Sequence, residues 1–112
     1  MGNPKFEITE RSNGDFMFNL KAGNGEIILT SQGYATKQGC KNGIDSVKTN
    51  ASDEENYEKK TASNGKYYFN LKATNGQIIG TSQMYASTSG RDNGIQSVMN
   101  NAPNASVIDF TA

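Results

Sequence analysis

The sequence contains no histidine and a single cysteine, Cys40. Without histidine the chain lacks the commonest general base near neutral pH and the commonest metal ligand. Cys-His nucleophiles and histidine-based zinc sites are therefore excluded. One cysteine cannot form an intrachain disulfide, and a small domain without this bond is typical of the cytoplasm. We expect a cytoplasmic protein with no cofactor and no metal site.

The chain also lacks an excess of either charge and any long apolar run. Eleven basic and eleven acidic residues give a formal net charge of zero, which disfavours nucleic acid as a partner. No stretch has the pattern of a signal peptide or approaches the roughly 18 apolar residues of a membrane span. We expect one domain over residues 1–112, with one modest core and no membrane association.

What the chain does contain is an internal duplication. A shift of 51 residues superimposes residues 6–51 on 57–102 without a gap, and 26 of these 46 positions are identical. We assign repeat one to residues 5–55 and repeat two to residues 56–110. Two units rarely form an open solenoid, so they should close on each other about a pseudo-twofold axis. The prediction is a monomer built as an internal pseudo-dimer.

Apolar residues alternate with polar ones in two segments of repeat one, around Phe6 and Ile8 and again from Phe16 to Ala22. This period indicates two half-buried strands. A three-residue loop ending in a left-handed Gly14 would set Ile8 opposite Phe18, whereas a two-residue loop would set it opposite a polar residue. The apolar pairing favours the three-residue loop.

A second turn in each repeat contains an Asn-Gly dipeptide, at Asn24-Gly25 and at Asn75-Gly76. This dipeptide is typical of two-residue hairpin turns with both central residues at positive φ. The resulting register would place Ile27 in the core, and Ile28 and Gln32 on the opposite face.

Apolar residues at helical spacing follow each strand segment. We predict helices near Thr36 to Thr49 and near Ser87 to Asn100, with Thr36 and Ser87 as N-caps. Interior glycines cost about 1 kcal/mol each relative to alanine, so we infer that they let the helices lie close to the sheet. The alternative is a helix broken near Asn42. The four glycines concerned are Gly39, Gly43, Gly90 and Gly94.

The last apolar segment, Val107 to Phe110, has the pattern of a strand. Its counterpart in the duplication is Asn56 to Lys59, which opens repeat two, but no third repeat follows for the last segment to open. We expect it to pair back against repeat one and to join both halves in one sheet.

The motifs NLKAxNGxxI, TSQxYA and NGIxSV occur twice in this order. They resemble the YegP-like family, a small bacterial family of unknown function, over essentially the whole chain. The resemblance implies an α+β fold of two tandem β-β-β-α-β repeats that form one antiparallel sheet. It also implies two helices packed on one face and C-terminal strands exchanged between repeats. Two departures concern the symmetry of the core: Lys59 replaces Ile8, and Gly80 replaces Leu29.

Each potentially reactive group in the sequence has a structural explanation as well as a functional one. Cys40 would be a nucleophile at a helix N-terminus, but Arg91 replaces it in repeat two, which favours a small core residue. The run Asp53 to Glu55 lacks EF-hand spacing and is typical of a solvated connector. Aromatic residues would stack bases on a sheet, but their alternation places most of them in the core and leaves Tyr68 outside.

Neutral polar residues recur on the face opposite the predicted core. Their donors and acceptors suit a peptide, a sugar or a protein surface better than acid-base chemistry. They are also explained as cross-strand pairs worth about 0.2 to 1 kcal/mol each on a wet sheet face. The candidate binding face comprises Asn19, Thr30, Gln32, Tyr34, Tyr68, Asn70, Thr81, Gln83 and Tyr85.

From these observations we predict a non-enzymatic interaction module that uses a polar sheet face or an exposed strand edge. Its partner is unidentified, with a protein or peptide favoured. Two alternatives remain open: a weak single-stranded nucleic-acid binder, and a small enzyme that uses hydroxyl and carboxylate groups.

Overall fold

A computed structural model describes residues 3–112. Each repeat contributes three strands and one helix of 14 residues, and one further strand follows the second helix. The elements are β1 (Lys5–Glu10), β2 (Phe16–Lys21), β3 (Ile27–Thr30), α1 (Lys37–Asn50), β4 (Tyr57–Thr61), β5 (Tyr67–Lys72), β6 (Ile78–Thr81), α2 (Thr88–Asn101) and β7 (Ser106–Asp109).

All seven strands form one sheet in the order β4-β5-β6-β3-β2-β1-β7. The predicted antiparallel pairing holds for five neighbouring pairs, whereas β7 lies parallel to β1. The sheet is therefore mixed. β7 belongs to repeat two and pairs with repeat one, as expected for an exchanged strand. Only repeat two gives a strand to the other repeat, because the matching segment of repeat one continues directly into β4.

Both helices pack on one face and begin where the sequence predicts. The side chains of Thr36 and Ser87 accept hydrogen bonds from Gly39 N and Gly90 N, so both are N-caps. Neither helix is broken at its central glycine. A Cβ at Gly43 would collide with the Tyr34 hydroxyl, and the same holds in repeat two. These glycines therefore let an aromatic ring lie directly against each helix.

The helices interlock the repeats. α1 contacts β2 of its own repeat and also β5 and β6 of the other, while α2 contacts both β5 and β3. Fully buried side chains from both repeats, such as Phe18 and Phe69, belong to one continuous core. Among residues 3–112, neither helix has the length and apolar character required to cross a membrane.

The first hairpin has the predicted three-residue loop, with Gly14 at φ +89° and Ile8 opposite Phe18. The prediction of two-residue turns at Asn24-Gly25 and Asn75-Gly76 is wrong, because Gly25 N donates to Ala22 O in a second three-residue loop. Only the glycine has positive φ there. The extra residue shifts the register, so that Ile28 is buried and Ile27 is exposed, the reverse of the expectation.

The two repeats meet where β3 pairs with β6, at Thr30 and Thr81. One residue earlier, on the core face, the repeats differ: Leu29 is fully buried, and its counterpart is Gly80. A Cβ at Gly80 would lie 2.6 Å from the Leu29 side chain. One leucine thus fills space that two symmetry-related leucines would have to share.

The other departure from symmetry lies at the outer strands. Ile8 is fully buried beside β7, which is held by an ion pair between Lys37 Nζ and Asp109 Oδ2 at 3.1 Å. Hydrogen bonds from the Thr111 side chain and backbone lower the pKa of Asp109 to about 2, and Lys37 makes a smaller contribution in the same direction. Within residues 3–112, β4 lacks such a neighbouring strand, and Lys59 replaces Ile8 at this solvent-exposed edge.

We predict that Gly80→Leu destabilises the protein by about 3 kcal/mol or more, since it overpacks the junction of the repeats. Leu29→Gly alone should cost a similar amount by leaving a cavity. The double variant should regain at least about half of the summed loss, because it moves the leucine to the other side of the axis. Chemical denaturation of all four proteins checks this, and strictly additive losses would contradict it.

Candidate functional site

The open face of the sheet, defined here as the face without helices, carries one row of polar residues across six strands. Each member is opposite the next in the strand register, and Thr30 and Thr81 form the central pair on the pseudo-twofold axis. In spatial order the row comprises Glu58, Asn70, Thr81, Thr30, Asn19 and Glu7. Four of the nine predicted site residues, Asn19, Thr30, Asn70 and Thr81, lie in it.

Side chains within the row bond to one another. Thr30 Oγ1 donates to Asn19 Oδ1 at 2.9 Å, and Thr81 Oγ1 donates to Asn70 Oδ1 at 2.8 Å. Asn70 Nδ2 also donates to a Glu58 carboxylate oxygen at 3.1 Å. Asn70 is buried, whereas Asn19 is only half-buried. These amides and hydroxyls therefore have partners within the sheet, and the cross-strand explanation applies to them.

The two glutamates at the ends of the row were not among the predicted site residues. Glu7 pairs with Lys21 at 2.8 Å, and Glu58 pairs with Lys72 at 2.9 Å. Hydrogen bonds from Lys72 and then Asn70 are the leading causes that lower the pKa of Glu58. The sequence alone could have indicated these two glutamates, because glutamate is the one residue that β1 and β4 share at matching positions.

A bulge separates the row from the end of each central strand. Ser31 Oγ accepts a hydrogen bond from Phe18 N at 2.9 Å and donates one to Gln32 O at 2.8 Å. The hydroxyl thus replaces a backbone carbonyl in the ladder, and the next pair is Phe16 with Tyr34. Gln32 therefore does not pair with Met17 as the predicted register required. The same arrangement recurs around Ser82.

An open groove of about 600 Å³ crosses the pseudo-twofold axis on this face. Its walls carry one exposed isoleucine and one exposed glutamine from each repeat, and no charged side chain lines it. Gln83 Nε2 donates to Glu26 Oε1 at 2.8 Å, which ties one wall to the other repeat. The lining residues are Ile27, Thr30, Ser31, Gln32, Ile78, Thr81, Ser82 and Gln83.

The three predicted tyrosines do not join this groove. Tyr68 lies on the open face two strands from the axis, opposite Lys60 of β4. Tyr34 lies on the helix side, where its ring stacks on Phe18 with centroids 6.4 Å apart. Tyr85 likewise lies against α2. The structure thus brings Gln32 and Gln83 beside Thr30 and Thr81 in the groove. It places Tyr68 on the open face outside the groove, and Tyr34 and Tyr85 on the helix side.

Burial raises the pKa of the one thiol and of three tyrosine hydroxyls. Burial first, and then the charge of Asp109, raises the pKa of the buried Cys40 thiol to about 11. Burial also raises the pKa of Tyr34, Tyr57 and Tyr85 above that of a free phenol. Within the described residues, no group of three or more histidine, cysteine, aspartate and glutamate side chains is arranged to hold a metal ion.

Fold and face define a class: a tandem-repeat α+β protein whose two halves share one sheet and present a pseudosymmetric polar face. The chain belongs to the family described as a domain of unknown function (DUF1508), whose model matches residues 12–58 and 62–109. The predicted membership of the YegP-like family is therefore confirmed.

Relatives match the chain over almost its full length. A UPF0339 protein of Shewanella oneidensis is 58% identical over 95% of this chain and 96% of its own. The UPF0339 protein YegP of Escherichia coli K12 is 57% identical over the same shares. The solution NMR structure of Escherichia coli YegP, a protein of unknown function, matches with a TM-score of 0.92 and 54% identity, covering 98% of this chain and 95% of that one. These matches support the fold.

We predict that Asn70→Ala destabilises the protein more than Asn19→Ala. The first substitution removes the buried member of the Thr81–Asn70–Glu58 hydrogen-bond chain and should cost about 1 to 3 kcal/mol. The second removes one bond at a half-buried position and should cost about 1 kcal/mol or less. Urea denaturation measures both values, and Asn19 is the matched control in the other repeat. Equal losses would show that the Glu58 bond contributes nothing.

Proposed function

We propose that this protein is a non-enzymatic interaction module that binds a partner protein or peptide on the open face, at the groove over the pseudo-twofold axis. The observation that carries the proposal is the pair of isoleucines in the groove walls. Ile27 and Ile78 are 40% and 38% exposed, although their neighbours Ile28 and Ile79 are buried. Apolar side chains beside neutral amides are typical of the centre of a protein interface, and the carboxylate bonded to one wall, Glu26, lies outside the lining.

The duplication supports the same conclusion. All four groove positions are identical in the two repeats, namely isoleucine, threonine, serine and glutamine. The serines and threonines have bonds within the sheet that account for their identity. The isoleucines do not, since a polar residue at either exposed position would keep the strand and lower the exposed apolar area. Function at the groove explains why both copies keep isoleucine.

The competing classes have less support from this surface. Lys21 and Lys72 are paired with glutamates and do not form a free basic track, so a strand of nucleic acid would find few phosphate contacts. A lowered pKa is one way to activate a thiol or a phenol as a nucleophile, whereas burial raises the pKa of Cys40 and of Tyr34. A single buried thiol also accords with a location in the reducing cytoplasm.

The proposal is tested with photo-cross-linking residues placed at Ile27 or Ile78 of the protein expressed in a bacterial host. We expect the same protein adduct from both positions, because the axis makes the two walls equivalent. The double variant Ile27→Ser/Ile78→Ser should weaken binding of the isolated partner by about tenfold or more.

Met84 provides the matched control, since it is 48% exposed but does not line the groove. Met84→Ser should leave the affinity unchanged within about twofold. The absence of any adduct from positions 27 and 78, or an equal loss of affinity in the Met84 variant, would overturn the proposal.

A further inference from the structure

The sheet ends in two outer strands, β4 and β7, whose free edges differ in chemistry. An unpaired strand edge is a template for another strand unless charge, proline or a bulge protects it. The duplication allows the comparison residue by residue, because β4 occupies in repeat two the position that β1 occupies in repeat one.

The edge of β4 is protected by charge. Lys59 forms an ion pair with Asp92 at 3.4 Å, and Lys60 is exposed beside it. Arg91 fills the space next to this strand, with its guanidinium 5.6 Å from the centre of the Tyr67 ring. At the matching positions of repeat one, Ile8 and Cys40 are fully buried. In repeat two, charged side chains therefore protect the edge that β7 covers in repeat one.

The edge of β7 carries less charge, because its one charged side chain, Asp109, is already paired with Lys37 of α1. Ser106 N donates to Pro4 O, and Phe110 N donates to Ile8 O. Because strand residues alternate in direction, the backbone groups of Val107 and Asp109 point away from β1. Val107, Ile108 and Phe110 are 45%, 40% and 63% exposed. Unpaired backbone and exposed apolar side chains therefore coincide on one edge.

A cavity of about 340 Å³ lies between this edge and α1. Ile44 and Val107 provide its apolar surface, and Gln38, Lys41 and Asp45 line its rim. A side chain on the helix side of a strand placed next to β7 would enter this cavity. Its volume suits a large apolar residue rather than a small one.

We propose that β7 accepts an extended segment of another protein as an additional strand of the sheet. The segment has a large apolar residue facing the cavity, further apolar residues at alternate positions, and acidic residues at its flanks. This interaction is separate from binding at the groove on the open face.

A second copy of this chain fits the edge poorly. The helix-side residues that β7 would offer to another β7 are Val107 and Asp109, one too small for the cavity and one a carboxylate already held by Lys37.

The charge of α1 also disfavours a second copy of the chain at this edge. α1 carries three lysines and one aspartate. Lys37 is paired with Asp109, so Lys41 and Lys48 against Asp45 leave one net positive charge on the helix, and two copies would bring together two helices of like net charge. Acidic flanks on a partner segment would be attracted to the same helix.

The test selects peptides from a random dodecapeptide library on the full-length protein, and measures their affinity for Val107→Pro. Proline at this position removes an outward N–H and replaces the Val107 side chain in the cavity wall, while the bonds to β1 remain. The matched control is Lys59→Pro on β4. We expect binding about tenfold weaker or worse with Val107→Pro and changed less than about twofold with Lys59→Pro. Amide NMR shifts should centre on Val107 and Asp109.

A second measurement does not depend on the fold of the variant. A selected peptide is N-methylated at every second amide, in two alternative sets (frames). Methylation of the amides that face β7 should abolish binding, and methylation of the amides that face away should leave it intact. Failure to enrich any peptide on the wild-type protein over Val107→Pro, equal binding to both, or equal effects of the two frames would overturn the proposal. Self-association that Val107→Pro abolishes would overturn the choice of occupant.

Discussion

The junction of β3 and β6 is the constraint on which the rest of the molecule depends. On the open face, Thr30 and Thr81 meet across the axis and begin the two hydrogen-bonded halves of the polar row. On the core face, Leu29 fills the space above Gly80. A self-complementary interface must place identical residues on both sides of its axis. Covalent duplication removes that condition, and here one half supplies the leucine and the other the space.

The two repeats also differ at the outer strands, because repeats within one chain need not be identical. β7 covers β1, so repeat one retains Ile8 and Cys40 as core residues. Repeat two has no covering strand, and Lys59 and Arg91 keep its edge polar. The pseudosymmetry is therefore closest around the groove and weakest at the two edges. This difference distinguishes the groove from the edge of β7, the two surfaces that we propose as binding sites.

The sequence predicted the elements that depend on local patterns and on the repeat. These include both helices with their N-caps, the first hairpin register and the pairing of β7 with repeat one. The turn after β2 was mispredicted because Asn-Gly fits loops of two or three residues, and only the burial of Ile28 distinguishes them. The bulge after Ser31 has no local signal, since a hydroxyl replaces a carbonyl there. This bulge also turns Tyr34 towards the helix, which alternation along the strand could not show.

The central claim, that both repeats form one cooperative unit around a shared junction, is tested most directly by native-state hydrogen exchange. The probes are the backbone amides of Phe18 and Phe69, which occupy matched, fully buried positions and donate to Ser31 and Ser82. Both amides should exchange only by global unfolding, with free energies that agree within about 1 kcal/mol. A free energy for one repeat that lies several kcal/mol below the other would show that the halves unfold independently, and would contradict the account.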